Sequence, residues 1–331
     1  MSVAEKPAAV RKTMVEGVEL TLAHPDQIEM KWIGNERVRD QLVAAWMVVG
    51  KGDLALSPRL IGKPGVGKTT LAYAVARALG QDVYIYQCTM DTRPEDLLIT
   101  PVIAQDGKIA YHASSLVTAM LRGAVCILDE ANRMSEKSWA SLAPLLDQRR
   151  YIESIVTGLK IQAHASFRIC CTMNDDASTY EVPEYIQSRL QPQIEVTFPN
   201  REEEREILKF NVPFSGEELL EMAVSFLQKA HRHNLRFTSR DGVNILRFCL
   251  KLGRLKTEDP RRFFDDAVQG VLGQDGVDFM NGIIPTRSQP RQMEEGFGED
   301  LDEDDDDEDN EDGGPPEAGD GPPEAGEDWR F

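Results

Sequence analysis

The chain has 331 residues, 56 Asp and Glu against 37 Lys and Arg, a formal charge of −19 and 41% hydrophobic residues. The excess has one address: residues 294–331 hold 19 acidic residues and one basic, so residues 1–293 are almost neutral. A near-neutral fold argues against direct nucleic-acid binding, which needs a basic surface. The longest apolar run, the seven residues 43–49, falls far short of the ~18 to 20 that cross a bilayer.

Residues 1–27 read as an N-terminal extension. Residues 1–13 mix Lys, Arg, Glu and Ala and lack the apolar run of a secretory signal, which predicts a cytoplasmic protein. Residues 59–61 form a short apolar strand running into Gly62, and residues 69–79 a helix with Leu71, Ala72, Val75, Ala76 and Leu79 on one face. Residues 82–88, 124–128 and 167–172 are further apolar runs of strand length, separated by helical segments near 115–122 and 135–146. Buried strands alternating with helices predict an α/β domain over residues 28–199, a parallel sheet covered on both faces. Asp106-Gly107, between residues 102–104 and 109–111, predicts a hairpin; Thr157-Gly158, between 151–155 and 159–163, predicts a second.

Past Pro199 the pattern turns helical, over 201–210, 215–231, 239–252 and 260–272, which predicts a small helical lid domain over residues 200–275. Residues 276–331 are expected to be linker and tail. The tail carries two copies of Gly-Pro-Pro-Glu-Ala-Gly and too little apolar surface to offset ordering entropy, so disorder is expected there. It reads as a solubility device, a tether for a basic partner or an autoinhibitory mimic of an acidic client, and Trp329 and Phe331 as either a docking plug or an accidental terminus. The five cysteines, 88, 126, 170, 171 and 249, lack any C-x-x-C spacing and sit mostly in apolar runs, as reduced core thiols do. His231 and His233, two apart on a helix, point to different faces and do not form a metal pair.

Gly62-Lys63-Pro64-Gly65-Val66-Gly67-Lys68-Thr69 fits G-x-x-x-x-G-K-[ST] between a strand and a helix. Glycines let backbone N–H groups close around phosphate oxygens, Lys68 adds a charge toward the β and γ phosphates, and Thr69 offers its hydroxyl to Mg²⁺. Nucleotide contacts are therefore assigned to Gly62, Pro64, Gly65, Val66, Gly67, Lys68, Thr69 and the following Thr70. The strand ending in Asp129-Glu130 places two acids where a parallel sheet meets its ligand. Asp129 suits the Mg²⁺ shell, and Glu130 the activation of water as general base. Asn174, ending the next strand, has an amide within reach of both the γ phosphate and the water.

Together these residues resemble the AAA+ ATPases, and within them the MoxR family, over about residues 33–272. Ile33-Gly34-Asn35-Glu36 looks like the family's base-contacting entry segment, which makes Gly34 a nucleotide contact. Gln87-Cys88-Thr89-Met90-Asp91 with Pro94-Glu95-Asp96-Leu97, and Asp129-Glu130-Ala131-Asn132-Arg133, are similar to family runs, and the Asp106-Gly107 hairpin falls at a family insertion. The resemblance implies that Asn174 is sensor 1, Arg189 the arginine finger lent to a neighbour, and Arg240 sensor 2 on the lid; Arg133, Arg149 and Arg150 match positions at the subunit boundary. It further implies an Mg²⁺-dependent ATPase that forms a homo-oligomeric, hexameric ring and remodels or activates a separate protein such as one with a von Willebrand A domain. Met173-Asn174-Asp175-Asp176 is also similar to a run in GTP-driven restriction motors. Two alternatives stay open: the motor subunit of a restriction or defence complex, and a nucleotide-bound switch without appreciable turnover.

Overall fold

The computed structural model describes residues 11–104, 106–175 and 181–284. The acidic tail with Trp329 and Phe331, and Asp176, lie outside them. The first elements are a hairpin, β1 (Lys12–Val15) and β2 (Val18–Thr21), turning at Glu16 and Gly17, both at positive φ. An irregular segment leads to α1 (Glu36–Trp46), whose first turn is capped by the Asn35 side chain. On the way Asp26 donates its N–H to Val83 O, and its carboxylate accepts from Ile85 N–H at 2.7 Å.

The α/β region then runs β3 (Arg59–Gly62), α2 (Lys68–Ala78), β4 (Val83–Gln87), α3 (Pro94–Leu97), β5 (Ile99–Ile103), β6 (Ile109–Ala113), α4 (Ser115–Arg122) and β7 (Val125–Asp129). It continues with α5 (Glu136–Leu142), β8 (Tyr151–Ser154), β9 (Leu159–Gln162), β10 (Arg168–Asn174), α6 (Glu184–Gln187) and β11 (Gln193–Glu195). Five strands form one parallel sheet in the order β11-β3-β10-β7-β4. β7 and β10 are buried along nearly their whole length, as strands covered on both faces must be, so they read as unbroken apolar runs. Two cores result. One joins Leu60, Leu71, Val75 and Trp46, whose indole N–H donates to Ile169 O at 3.1 Å; the other joins Leu116, Met120, Leu128, Trp139 and Phe167.

Both predicted hairpins form, as β5–β6 and β8–β9. The extension at the N-terminus does more than precede the fold: β2 pairs in parallel with β6, giving a four-stranded sheet β1-β2-β6-β5 with Leu20 fully buried. Strand β11 was not foreseen either. It has three residues, too few to show alternation, and is held by its pairing with β3.

Four helices follow: α7 (Arg201–Asn211), α8 (Glu217–Arg232), α9 (Ser239–Lys256) and α10 (Phe264–Met280). α7 and α9 start with reciprocal caps, Asn200 with Glu203 and Thr238 with Asp241. α10 continues eight residues past its predicted end at 272, into the expected linker, by breaking helical geometry at Gly273, where φ is 64°. The helices share a core in which Phe226 stacks on Phe237 at 5.7 Å and meets Phe279 edge-on at 5.6 Å. The five cysteines are buried thiols; burial pushes Cys171 up to about 12 and holds Cys88, Cys126 and Cys170 well above their ordinary value. Among the described residues no helix is long and apolar enough to cross a membrane.

Candidate active site

Strand register assembles the site. β10 lies between β3 and β7, with Asn174 opposite Gly62 and Cys171 opposite Leu128, so the loop after β3, the acids ending β7 and the amide ending β10 meet at one sheet edge. The loop is built from close approaches. A Cβ on Gly62 would stand 2.2 Å from Val196 O. Gly65 and Gly67 sit at φ 81° and 93°, a region that excludes most side chains, and Gly67 opens α2. This leaves the first backbone N–H groups of α2 facing the loop, an arrangement suited to phosphate.

Lys68 is buried. Its Nζ donates to Gly62 O (2.9 Å), Lys63 O (2.9 Å) and Asn174 Oδ1 (2.8 Å). Asn174 turns its other end outward: Nδ2 donates to Glu130 Oε1 at 3.2 Å. Serving a cation and a carboxylate together fixes the amide's orientation, oxygen to Lys68 and nitrogen to Glu130. Glu130 itself has φ 54°, which swings it out of the strand line; Arg133 Nε stands 2.6 Å from its second oxygen. That pair is a charge contact rather than an aligned hydrogen bond, since Arg133 Nε has no partner of standard geometry.

Thr69 Oγ1 donates to Asp129 Oδ1 at 2.5 Å, and Thr172 Oγ1 donates to the same oxygen at 2.6 Å while accepting from Glu130 N–H at 3.0 Å. A hydroxyl and a carboxylate in contact are hard oxygen donors of the kind Mg²⁺ prefers, so the residues present fit that ion. Asn132 is buried and brackets the backbone of Asn174, donating from Nδ2 to its carbonyl (2.8 Å) and accepting its N–H at Oδ1 (3.3 Å).

The lid reaches the loop at two points. Thr238, the cap of α9, presses on Gly65, where an added Cβ would meet its Cγ2 at 2.7 Å. Lys63 hydrogen-bonds Asn234 and lies 4.9 Å over the Phe198 ring. Arg240 is exposed on the first turn of α9, two positions beyond Thr238.

The other predicted residues are placed differently. Gly34 meets the loop through Trp32: a Cβ at Gly34 would stand 2.6 Å from that indole, and one at Gly67 would stand 3.2 Å from it. Arg189 has no hydrogen bond to the Lys68–Asn174–Glu130 group among the described residues. It donates to Tyr185 O and pairs with Asp147 at 3.4 Å. Asp147 also takes Arg149 through both carboxylate oxygens, and those contacts, Arg149 first, draw its carboxyl down to about 2. Arg150 is buried at φ 53°, with Nη2 donating to Phe167 O at 2.8 Å just before β10. Trp32, Thr172, Asn132 and Thr238 carry the site without having been given a role from the sequence. Thr172, two residues before Asn174 and so on the same strand face, was the one with a usable signal.

Residues 59–190 match the AAA domain of the dynein-related subfamily. NorQ of Paracoccus denitrificans is 30% identical over 132 residues, 40% of this chain and 48% of that protein. MoxR of the same species is 29% identical over 157 residues, 47% of this chain and 45% of that protein. The chain has the P-loop AAA+ fold and resembles the MoxR family. It spans about half the length of the curated relatives it matches. A mutant of Thermotoga maritima RuvB aligns with a TM-score of 0.52 at 19% identity, over 74% of this chain and 73% of that one, a likeness of fold alone.

Proposed function

We propose that the chain hydrolyses ATP with Mg²⁺ as part of a homo-oligomeric, six-membered ring, and that the cycle remodels or activates a separate protein. The observation that carries the reading is the hydrogen-bonded line Lys68–Asn174–Glu130 beside the Thr69–Asp129 pair. Gly65, Val66, Gly67, Thr69 and Thr70, with Pro64 shaping the loop, bind phosphate oxygens through backbone N–H groups, and Lys68 moves its charge from carbonyls to phosphate. Thr69 and Asp129 would hold Mg²⁺, which when bound neutralises charge on the phosphate oxygens. Glu130 accepts the proton of the attacking water, and Asn174 orients that water between Lys68 and the carboxylate. Arg189, whose hydrogen-bond partners among the described residues are Tyr185 O and Asp147, is lent to the next protomer, and Arg240 at the start of α9 closes the lid over the same phosphates. The nearly neutral fold favours a protein client over nucleic acid; the MoxR resemblance makes one with a von Willebrand A domain the first to test.

Steady-state phosphate release by wild type and Glu130→Gln tests the chemistry. The variant should turn over about 10² to 10⁴ times more slowly while still binding nucleotide, the range expected when a general base is lost. Equal rates would remove Glu130 from the mechanism, and tight binding without release by wild type would favour a non-hydrolytic switch.

A further inference from the structure

Two buried titratable side chains take no part in this chemistry. Glu204 of α7 is fully buried, and His231 of α8 faces it, Nδ1 standing 3.6 Å from Oε2. Each grips one flank of Thr238. His231 Nε2 lies 2.7 Å from Phe237 O, and Ser239, on the other side of Thr238, is close enough to the Glu204 carboxyl to draw its pKa down against burial. Thr238, between them, is the residue that presses on Gly65. A second line reaches the loop through aromatic contacts: the His231 ring stacks on Phe198 at 4.0 Å and 10°, and Lys63 covers the same Phe198 ring.

Proton bookkeeping narrows the states of the pair. A carbonyl only accepts, so Nε2 carries a proton toward Phe237 and Nδ1 is left to face the carboxyl. Nδ1 and Glu204 Oε1 are buried without a hydrogen bond of standard geometry among the described residues. One proton on the pair leaves it with no net charge across the 3.6 Å contact. None leaves a buried carboxylate against a lone pair, and two leave an imidazolium facing Lys63 across Phe198. Lys63 is the charged group that faces the pair; Gln228 of α8 (3.5 Å to Oε2), Ser239 of α9 and the Phe237 carbonyl are neutral. Burial raises Glu204 to about 7 and lowers His231, with Lys63 adding to the lowering.

We propose that Glu204 and His231 are positioning residues for nucleotide capture: sharing one proton, they hold Thr238 and Lys63 in place on the phosphate loop, and losing that proton or gaining a second lets the lid slip from it. The proposal rests on the nucleotide-binding reading of the loop. Equilibrium binding of a fluorescent ATP analogue, from about pH 5.5 to 8.5, tests it on wild type, Glu204→Gln, His231→Gln and His231→Ala, with folding checked by circular dichroism. Affinities are compared as wild-type-to-variant ratios at each pH, which cancels the titration of the phosphates.

Glu204→Gln should match wild type near pH 6 and bind about tenfold more tightly by pH 8.5, one decade of affinity per pK unit of coupling. His231→Ala should bind more weakly throughout. His231→Gln, whose amide can still donate to Phe237 O, should restore capture and abolish the acid decline. Ratios flat with pH, or a folded His231→Ala with unchanged affinity, would overturn the proposal. Should the variants not fold, hydrogen exchange of residues 235–241 in wild type, corrected for intrinsic rates, decides it; pH-independent protection would overturn it. Lys68→Ala keeps the two ideas apart: if neither it nor wild type holds nucleotide, the functional reading falls, while the exchange experiment still judges the pair.

Discussion

Asn174 answers to three neighbours at once. Its amide oxygen takes Lys68, its amide nitrogen meets Glu130, and its peptide is held at both ends by Asn132. Asn132→Ala would leave a buried N–H and a buried C=O unpaired, at about 1–3 kcal/mol each. Urea denaturation should register that loss, and phosphate release should fall further than nucleotide affinity, because the clamp aims Asn174 rather than touching phosphate. Unchanged turnover in a folded variant would make the clamp purely structural. Glu130, Asn174, Asp129 and the loop were legible in the sequence because their types and spacing are those the chemistry requires. Asn132 was not, since its partner is backbone, and backbone leaves no mark at the partner's position. Trp32 escaped notice for a related reason: its role depends on two glycines, Gly34 and Gly67, leaving it room.

At the scale of elements, the start of α9 resting on the loop after β3 makes Gly65 doubly constrained, by φ 81° and by Thr238. Gly65→Ala is expected to cost about 1–3 kcal/mol in stability, the usual range for a strained backbone position, and to weaken nucleotide binding as Thr238 is pushed away. Thermal melts and equilibrium binding check the two effects. Stability should also follow the proton content of α7 and α8. Glu204 rises from 4.5 to about 7 on folding, so its contribution is complete below 4.5 and is lost as pH rises through about 7. His231 is lowered from 6.5, so its contribution is present above 6.5 and is lost as pH falls through its folded value. Melting temperature should therefore fall as pH rises from 4.5 through about 7, with His231 offsetting part of the fall below 6.5, and Glu204→Gln should flatten it; a decline of equal steepness would exclude Glu204 as its source. None of this was legible beforehand. Glu204 stands among Glu202, Glu203 and Glu206, and nothing local distinguishes the carboxyl that packing buries. The lid helices themselves were readable from apolar spacing, apart from the continuation of α10, which needs Gly273 to leave helical geometry.

For the molecule as a whole, the proposal that Arg189 is lent to the next protomer leads to a mixing experiment. Protomers carrying Glu130→Gln and protomers carrying Arg189→Ala should each be slow alone. Mixed, they should recover part of the wild-type rate, because some junctions then pair an intact Glu130 with an intact Arg189. Strict additivity of the two slow rates would show that each chain completes its own site. The parallel sheet followed from buried strands alternating with helices, but its strand order, the short β11 and the β2–β6 pairing did not, because each depends on partners remote in the chain.

That last pairing has a practical corollary. Because β2 is stitched alongside β6, the hairpin of residues 12–21 is mechanically part of the Asp106-Gly107 hairpin. A fluorophore or spin label introduced just ahead of Lys12 would track any tilt of that hairpin, giving an outside view of its movement without altering its tip.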